Sequence, residues 1–288
     1  MTAHAESLRG LRVGVALSSG FFGFFHHAGV LQALAARGIL PTRITGNSAG
    51  ALAGSLYAAG LDPDALAAEL LSVRRADFWD PGWPLTRRGF GFLAGDRFAA
   101  RLARALPVHG FADCRIPISV GAYGLDDGRT RHLGEGALVP AVHASCAVPY
   151  MFQPVEVGGR RYWDGGFGEK TPLAPFIKAR DVDAVVVSYL PPRDADATGK
   201  KKGVLSFLPK PSSLFADVPA DERFERDLSA VAILREAGVR VLVLGPEPVP
   251  LGPFSLDRGE AAVLAGRDGA GRILDSEDES ALGSAWLS

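Results

Sequence analysis

Between residues 11 and 60 the chain runs twice from a short apolar stretch into a glycine-closed helical one, and this alternation constrains its fold more than any other feature. "LRVGVAL" (11–17) is a short apolar run that ends at Ser and Gly, the pattern of a buried parallel strand. "AGVLQALAARG" (28–38) repeats its apolar residues at helical spacing and closes on Gly38. "TRITGNSAG" (42–50) is a second strand entering a sharp turn, and "ALAGSLYAAG" (51–60) a second, small-residue helix. Two strands joined by a helix cross over right-handed and pair in parallel. This β-α-β-α opening therefore predicts a parallel sheet covered by helices.

The rest of the chain fits that frame. Asp62 and Pro63 are a cap and first turn for a helix over 62–73. Residues 74–92 are aromatic, Arg-rich and broken by Pro and Gly, and read as an irregular loop. A helix is expected at 96–106, a hairpin at 116–133, a helix at 137–148 and a second hairpin at 154–166. A buried strand at 183–190, a helix at 225–238, a strand at 239–245 and closing helices complete the count. No repeat or composition break marks a linker. The expected organisation is an N-terminal tail (1–10) and one domain (11–288), a three-layer α/β/α sandwich around a mostly parallel sheet. A chain of 288 residues, 47% hydrophobic, buries a core without disulfide staples, and its two cysteines imply none. With a net charge of −1, nothing global points to nucleic acid.

"GNSAG" (46–50) falls at the junction of the second strand and the second helix. There a G-x-S-x-G pattern has mechanical meaning. Gly46 and Gly50 leave room for a strained turn that lifts the Ser48 hydroxyl out of the fold, and the helix N-terminus favours negative charge beside it. The competing reading is a glycine-rich turn with a helix-capping serine. A serine nucleophile needs a base. None of the six histidines lies after His143, which argues against the Ser–acid–His order of α/β-hydrolases. A carboxylate is available in "YWDGG" (162–166), where Gly165 and Gly166 let another segment approach Asp164 closely; an ordinary turn aspartate is the alternative.

With these blocks in order, the chain resembles the patatin-like phospholipases, acyl hydrolases with a Ser–Asp dyad. The resemblance rests on the Gly-containing loop before "GVLQAL" (29–34), on "GNSAG", on "ASCAVPYMFQPV" (144–155) and on the "DGG" of 164–166, and it covers at least residues 11–190. It implies a patatin-like α/β fold, Ser48 as nucleophile and Asp164 as general base. The oxyanion formed on attack needs N–H donors, one from Ala49 and others from loop 18–24. Aligned on "GVLQAL", the family's glycine run falls on Ser19, Gly20 and Phe21, and its basic position on Gly23. Phe21, Phe22, Phe24 and Phe25 either pack a strand–helix corner or wall an acyl chain, with Phe22, Phe24 and Phe25 assigned to that wall. His26 and His27 read as capping or surface residues, with an auxiliary polar role near the oxyanion as the alternative.

The expected activity is hydrolysis of lipid carboxylic esters through an acyl–Ser48 intermediate, with no metal or cofactor. The alternatives are a non-catalytic acyl- or lipid-binding regulator and a thioesterase or transacylase. Segments 74–92 and 200–210 mix basic and aromatic or apolar residues, and read either as solvated loops or as contacts with a lipid surface. The first ten residues lack the apolar core of a signal peptide, and no run of about 18 apolar residues occurs, so the expected location is cytoplasmic, with peripheral membrane contact.

Overall fold

The computed structural model describes residues 3–191, 220–245 and 249–277. In chain order the elements are α1 (His4–Leu8), β1 (Val13–Leu17), α2 (Phe24–Ala36), β2 (Pro41–Asn47), α3 (Ala49–Ala58) and α4 (Pro63–Leu71). Then follow β3 (Leu85–Thr86), β4 (Gly89–Leu93), α5 (Asp96–Ala105), β5 (Ile118–Gly124), β6 (Arg129–Leu133), α6 (Leu138–Cys146), β7 (Tyr150–Phe152), β8 (Val155–Val157) and β9 (Arg160–Asp164). The chain continues through α7 (Ala174–Ala179), β10 (Ala184–Ser188), α8 (Ala220–Glu236), β11 (Arg240–Leu244) and α9 (Gly259–Asp275).

The main sheet has the order β11-β10-β1-β2-β5-β9-β8, with β6 also paired to β5. From β11 to β5 every pairing is parallel. β6, β8 and β9 add antiparallel pairs at one end. Successive strand residues face opposite sides. Val13, Val15, Leu17, Ile44, Val186, Leu242 and Leu244 enter one core with residues of α2, α3, α4 and α9. Ala16, Val185, Val187, Val241 and Val243 enter another with Phe176 of α7 and Val231 and Leu234 of α8. The sheet is therefore the middle of three layers, as the opening alternation predicts.

One pairing places the site. Residues Ile118–Gly121 of β5 pair with Ile44–Asn47 of β2, and Ala122–Gly124 pair with Asp164–Tyr162 of β9. β6 pairs with Val120–Gly124, overlapping both, so it occupies the opposite edge of β5. Thus β9 takes over the edge that β2 gives up when it turns into α3. Asp164, opposite Ala122, arrives one β5 position beyond Asn47, opposite Gly121.

The structure departs from the sequence reading in three places. The expected tail contains α1, whose Ala5 and Leu8 are buried; five residues are too few to show periodicity. Residues 74–92 are not wholly irregular: β3 and β4 form a hairpin, and β4 pairs in parallel with β7. A Cβ at Gly91 would sit 2.3 Å from the backbone of Phe152 and Gln153, so the glycine that argues against a strand is what lets these two approach. α7 lies between the hairpin and the strand expected at 183–190, where the sequence marks no element. Segment 200–210 lies outside the described residues.

Candidate active site

Ser48 joins β2 to α3 with φ 52° and ψ −116°, a conformation that costs about 1–3 kcal/mol in a non-glycine residue. Its neighbours explain how the turn closes. A Cβ on Gly46 would lie 2.4 Å from the Gly50 carbonyl oxygen, and one on Gly50 would lie 2.2 Å from the Leu17 carbonyl oxygen. Ser48 N–H donates to Ser145 Oγ at 3.0 Å, and the Cys146 thiol donates to the Ser48 carbonyl at 3.3 Å. The small-residue segment 144–147 therefore braces the elbow.

Ser48 Oγ donates to Asp164 Oδ2 at 2.6 Å. Asp164 Oδ1 accepts the Gly166 N–H at 2.7 Å, and the Asp164 N–H donates to Ala147 O at 2.8 Å. A Cβ at Gly165 would lie 2.2 Å from the Gly121 carbonyl oxygen, so the first glycine after the aspartate permits the turn against β5. Asp164 is 2% exposed. Burial pushes its carboxyl up to about 7, while the Ser48 hydroxyl, the Gly166 N–H and Arg223 act the other way. Arg223 Nη1 donates to the Gly166 carbonyl at 2.8 Å.

Loop 18–23 lies beside this pair. The buried His27 holds its base: Nε2 donates to the Ser18 carbonyl at 2.9 Å, which leaves Nδ1 to accept the Ser188 hydroxyl at 2.8 Å. Burial depresses its pKa to about 3, so the ring stays neutral. His26 is also buried, and its Nε2 accepts the Val249 N–H at 2.9 Å. Neither histidine is a surface residue; each ties α2 to a distant segment. Gly20 to Gly23 form a turn closed by Gly23 N–H to Gly20 O at 2.8 Å, with Phe22 at φ 58°. The loop departs from the expected donor set at Ser19. Its N–H donates to the Lys170 carbonyl at 2.8 Å and is not free for an oxyanion. Gly20, Phe21 and Ala49 border the space in front of Ser48. Ala49 opens α3, where a backbone N–H has no helical partner.

That space is an apolar cavity of about 660 Å³ with Ser48 on its wall. Phe22 and Phe24 line it; Phe25 does not. Phe25 is 1% exposed and packs on the start of α9, where a Cβ at Gly259 would fall 2.8 Å from its ring. On a helix, adjacent residues face different directions, so Phe24 and Phe25 cannot share one wall. The other walls include Phe78, Phe90, Phe92, Phe98 and Tyr150. Most come from the stretch read as an irregular loop and from β7. Their signal in the sequence was composition without position. Lys170 and Arg223, which hold Ser19 and Gly166 from behind, carried no sequence signal.

The family model described as patatin-like phospholipase matches residues 15–177. An uncharacterized NTE family protein of Mycobacterium tuberculosis is 32% identical over 217 residues, covering 73% of this chain and 59% of the relative. Lysophospholipase NTE1 of Cryptococcus neoformans is 27% identical over 185 residues, 64% of this chain and 11% of that protein. The chain thus spans less than two thirds of the length of these relatives. The crystal structure of VipD from Legionella pneumophila shares the fold, with a TM-score of 0.55 at 15% identity over 92% of this chain and 67% of that one. Because the family match covers more than half of the chain and takes in both the elbow serine and Asp164, this chain belongs to the patatin-like phospholipase family.

Proposed function

We propose that the protein is a lipid acyl hydrolase acting through an acyl–Ser48 intermediate. The observation that carries this reading is the 2.6 Å bond from Ser48 Oγ to a buried carboxylate beside an apolar cavity. Asp164 takes the hydroxyl proton as Ser48 attacks the ester carbonyl. The N–H groups of Ala49 and the Gly20–Phe21 turn stabilise the tetrahedral oxyanion. Collapse expels the alcohol, which receives the proton from Asp164, and water then releases the acid with Asp164 again as base. The cavity volume lies within the roughly 300–1,000 Å³ of small-molecule sites, and its aromatic walls suit an acyl chain. A purely binding role gives no reason to hold a serine at positive φ against a buried acid.

The reading includes a lipid surface as the substrate's source. Among the described residues no helix is long and apolar enough to cross a membrane. Trp79, Phe90 and Phe92 both line the cavity and stand exposed, and Trp83, Leu85 and Phe254 are more exposed still. Arg74, Arg75, Arg87 and Arg88 are exposed among them. Aromatics beside arginines at the mouth of the site suit docking on an anionic bilayer.

A p-nitrophenyl ester series tests the chemistry. Wild-type turnover, its loss in Ser48→Ala and Asp164→Asn, and fluorophosphonate labelling confined to Ser48 are the expected results. Absence of turnover at every chain length, or labelling elsewhere, would overturn the reading.

A further inference from the structure

Ser19 and Lys170 are joined twice. The Ser19 N–H donates to the Lys170 carbonyl at 2.8 Å, and Lys170 Nζ donates back to the Ser19 carbonyl at 3.1 Å. The ammonium also lies 5.2 Å from the centre of the Tyr189 ring. Desolvation pulls its pKa down to about 8, with Asp227 of α8 acting to raise it and Arg223 of α8 to lower it. The segment that carries it is anchored to the elbow, because Asn47 Nδ2 donates to the Glu169 carbonyl at 2.6 Å.

A peptide unit is planar, and no cis bond occurs among the described residues. The carbonyl and N–H of one trans unit point in opposite directions. Drawing the Ser19 oxygen toward Lys170 therefore turns the Gly20 N–H the other way. Gly20 borders the cavity that Ser48 faces, and the next peptide is also held, by Gly23 N–H on the Gly20 carbonyl. Close packing locks the loop: a Cβ at Gly20 would sit 2.7 Å from Leu190, and one at Gly166 would sit 2.5 Å from Ser19 Cβ. Even half-buried, an ammonium is a costly way merely to pack a loop.

We infer that Lys170 is a positioning residue that aims the Gly20 amide at the oxyanion formed on Ser48. The inference rests on the acyl-hydrolase reading above. Lys170 does not touch substrate. It fixes one carbonyl from behind so that the N–H of the same peptide needs no reorganisation when charge develops in front of it.

The test uses the full chain and p-nitrophenyl butyrate. Lys170→Met is expected to lower kcat by about 10- to 100-fold, with KM within twofold of wild type. Lys170→Arg, which restores a cationic donor, recovers kcat to within about fivefold. Fluorophosphonate labelling of Ser48 slows in parallel with kcat, whereas affinity for a long-chain alcohol, which forms no oxyanion, stays unchanged. A Lys170→Met protein with wild-type melting temperature and wild-type kcat overturns the inference, as does a loss confined to KM. If Lys170→Met does not fold, Lys170→Ser keeps the site polar but is too short to reach the Ser19 carbonyl, and decides in the same way. Absence of ester turnover in wild type would instead strike the hydrolase reading itself.

Discussion

Asp164 receives the Ser48 hydroxyl on one oxygen at 2.6 Å and the Gly166 N–H on the other at 2.7 Å. Both oxygens are committed, so the carboxylate is held toward the Ser48 hydroxyl. Removing either partner should abolish the chemistry and leave the fold. Ser48→Ala is expected to lower kcat/KM by at least about 10⁴-fold and Asp164→Asn by about 10³- to 10⁴-fold. Ester hydrolysis kinetics with circular dichroism on the same preparations would check both.

The pH profile follows from burial. In the proposed mechanism Asp164 works as a base only when ionised, and its pKa is pushed up to about 7. Activity should therefore rise with pH and reach half its plateau near 7, not near the ordinary carboxylate value of about 4. Stability should move the opposite way. Between about 4 and 7 the folded protein keeps a proton that the unfolded chain has lost, so stability falls as pH rises through that window. Asp164→Asn, which cannot ionise, should melt higher than wild type at pH 8, with the advantage fading toward pH 4. Thermal scans across pH would show whether the sign is right.

The elbow is held by absent side chains and contains one strained residue. Gly50→Ala would put a methyl group 2.2 Å from the Leu17 carbonyl oxygen, contact with backbone that cannot rotate aside. The expected cost is at least about 2 kcal/mol, together with loss of activity as Ser48 shifts. Ser48→Gly should act oppositely, abolishing activity while raising stability by about 0.5–1 kcal/mol, because glycine accepts φ 52° freely. Urea unfolding midpoints of the two variants should move in opposite directions.

The cavity mouth yields a prediction about location. Trp83 and Leu85 are 78% and 65% exposed and do not border the cavity. A Trp83→Ser/Leu85→Ser/Arg87→Glu variant should lose sedimentation with phosphatidylglycerol-containing vesicles and keep its turnover of soluble short-chain esters. Equal sedimentation of variant and wild type would remove this face as the docking site, and retention on purely zwitterionic vesicles would remove the electrostatic part.

Much of this architecture is legible in local pattern. The alternation over 11–60, the glycines around Ser48 and the Asp-Gly-Gly of 164–166 each act within a few residues, so short-range periodicity and steric need reveal them. The N-terminal helix, the β4–β7 pairing and α7 were not legible, because their stability comes from partners far along the chain. Ser19 shows the same limit within the site. Its position in the loop suggests an oxyanion donor, but its N–H is consumed by Lys170, a residue 151 positions away.

By itself the sequence determined the layer architecture and singled out the two side chains proposed to react, since both depend on spacing and on where glycine is sterically required. Only the tertiary structure decided that they meet, because the meeting depends on β9 taking the edge of β5 that β2 vacates at Asn47. It also decided which phenylalanines face the cavity and which cation holds the loop. Those outcomes depend on which distant surfaces close against one another, and no local pattern encodes that.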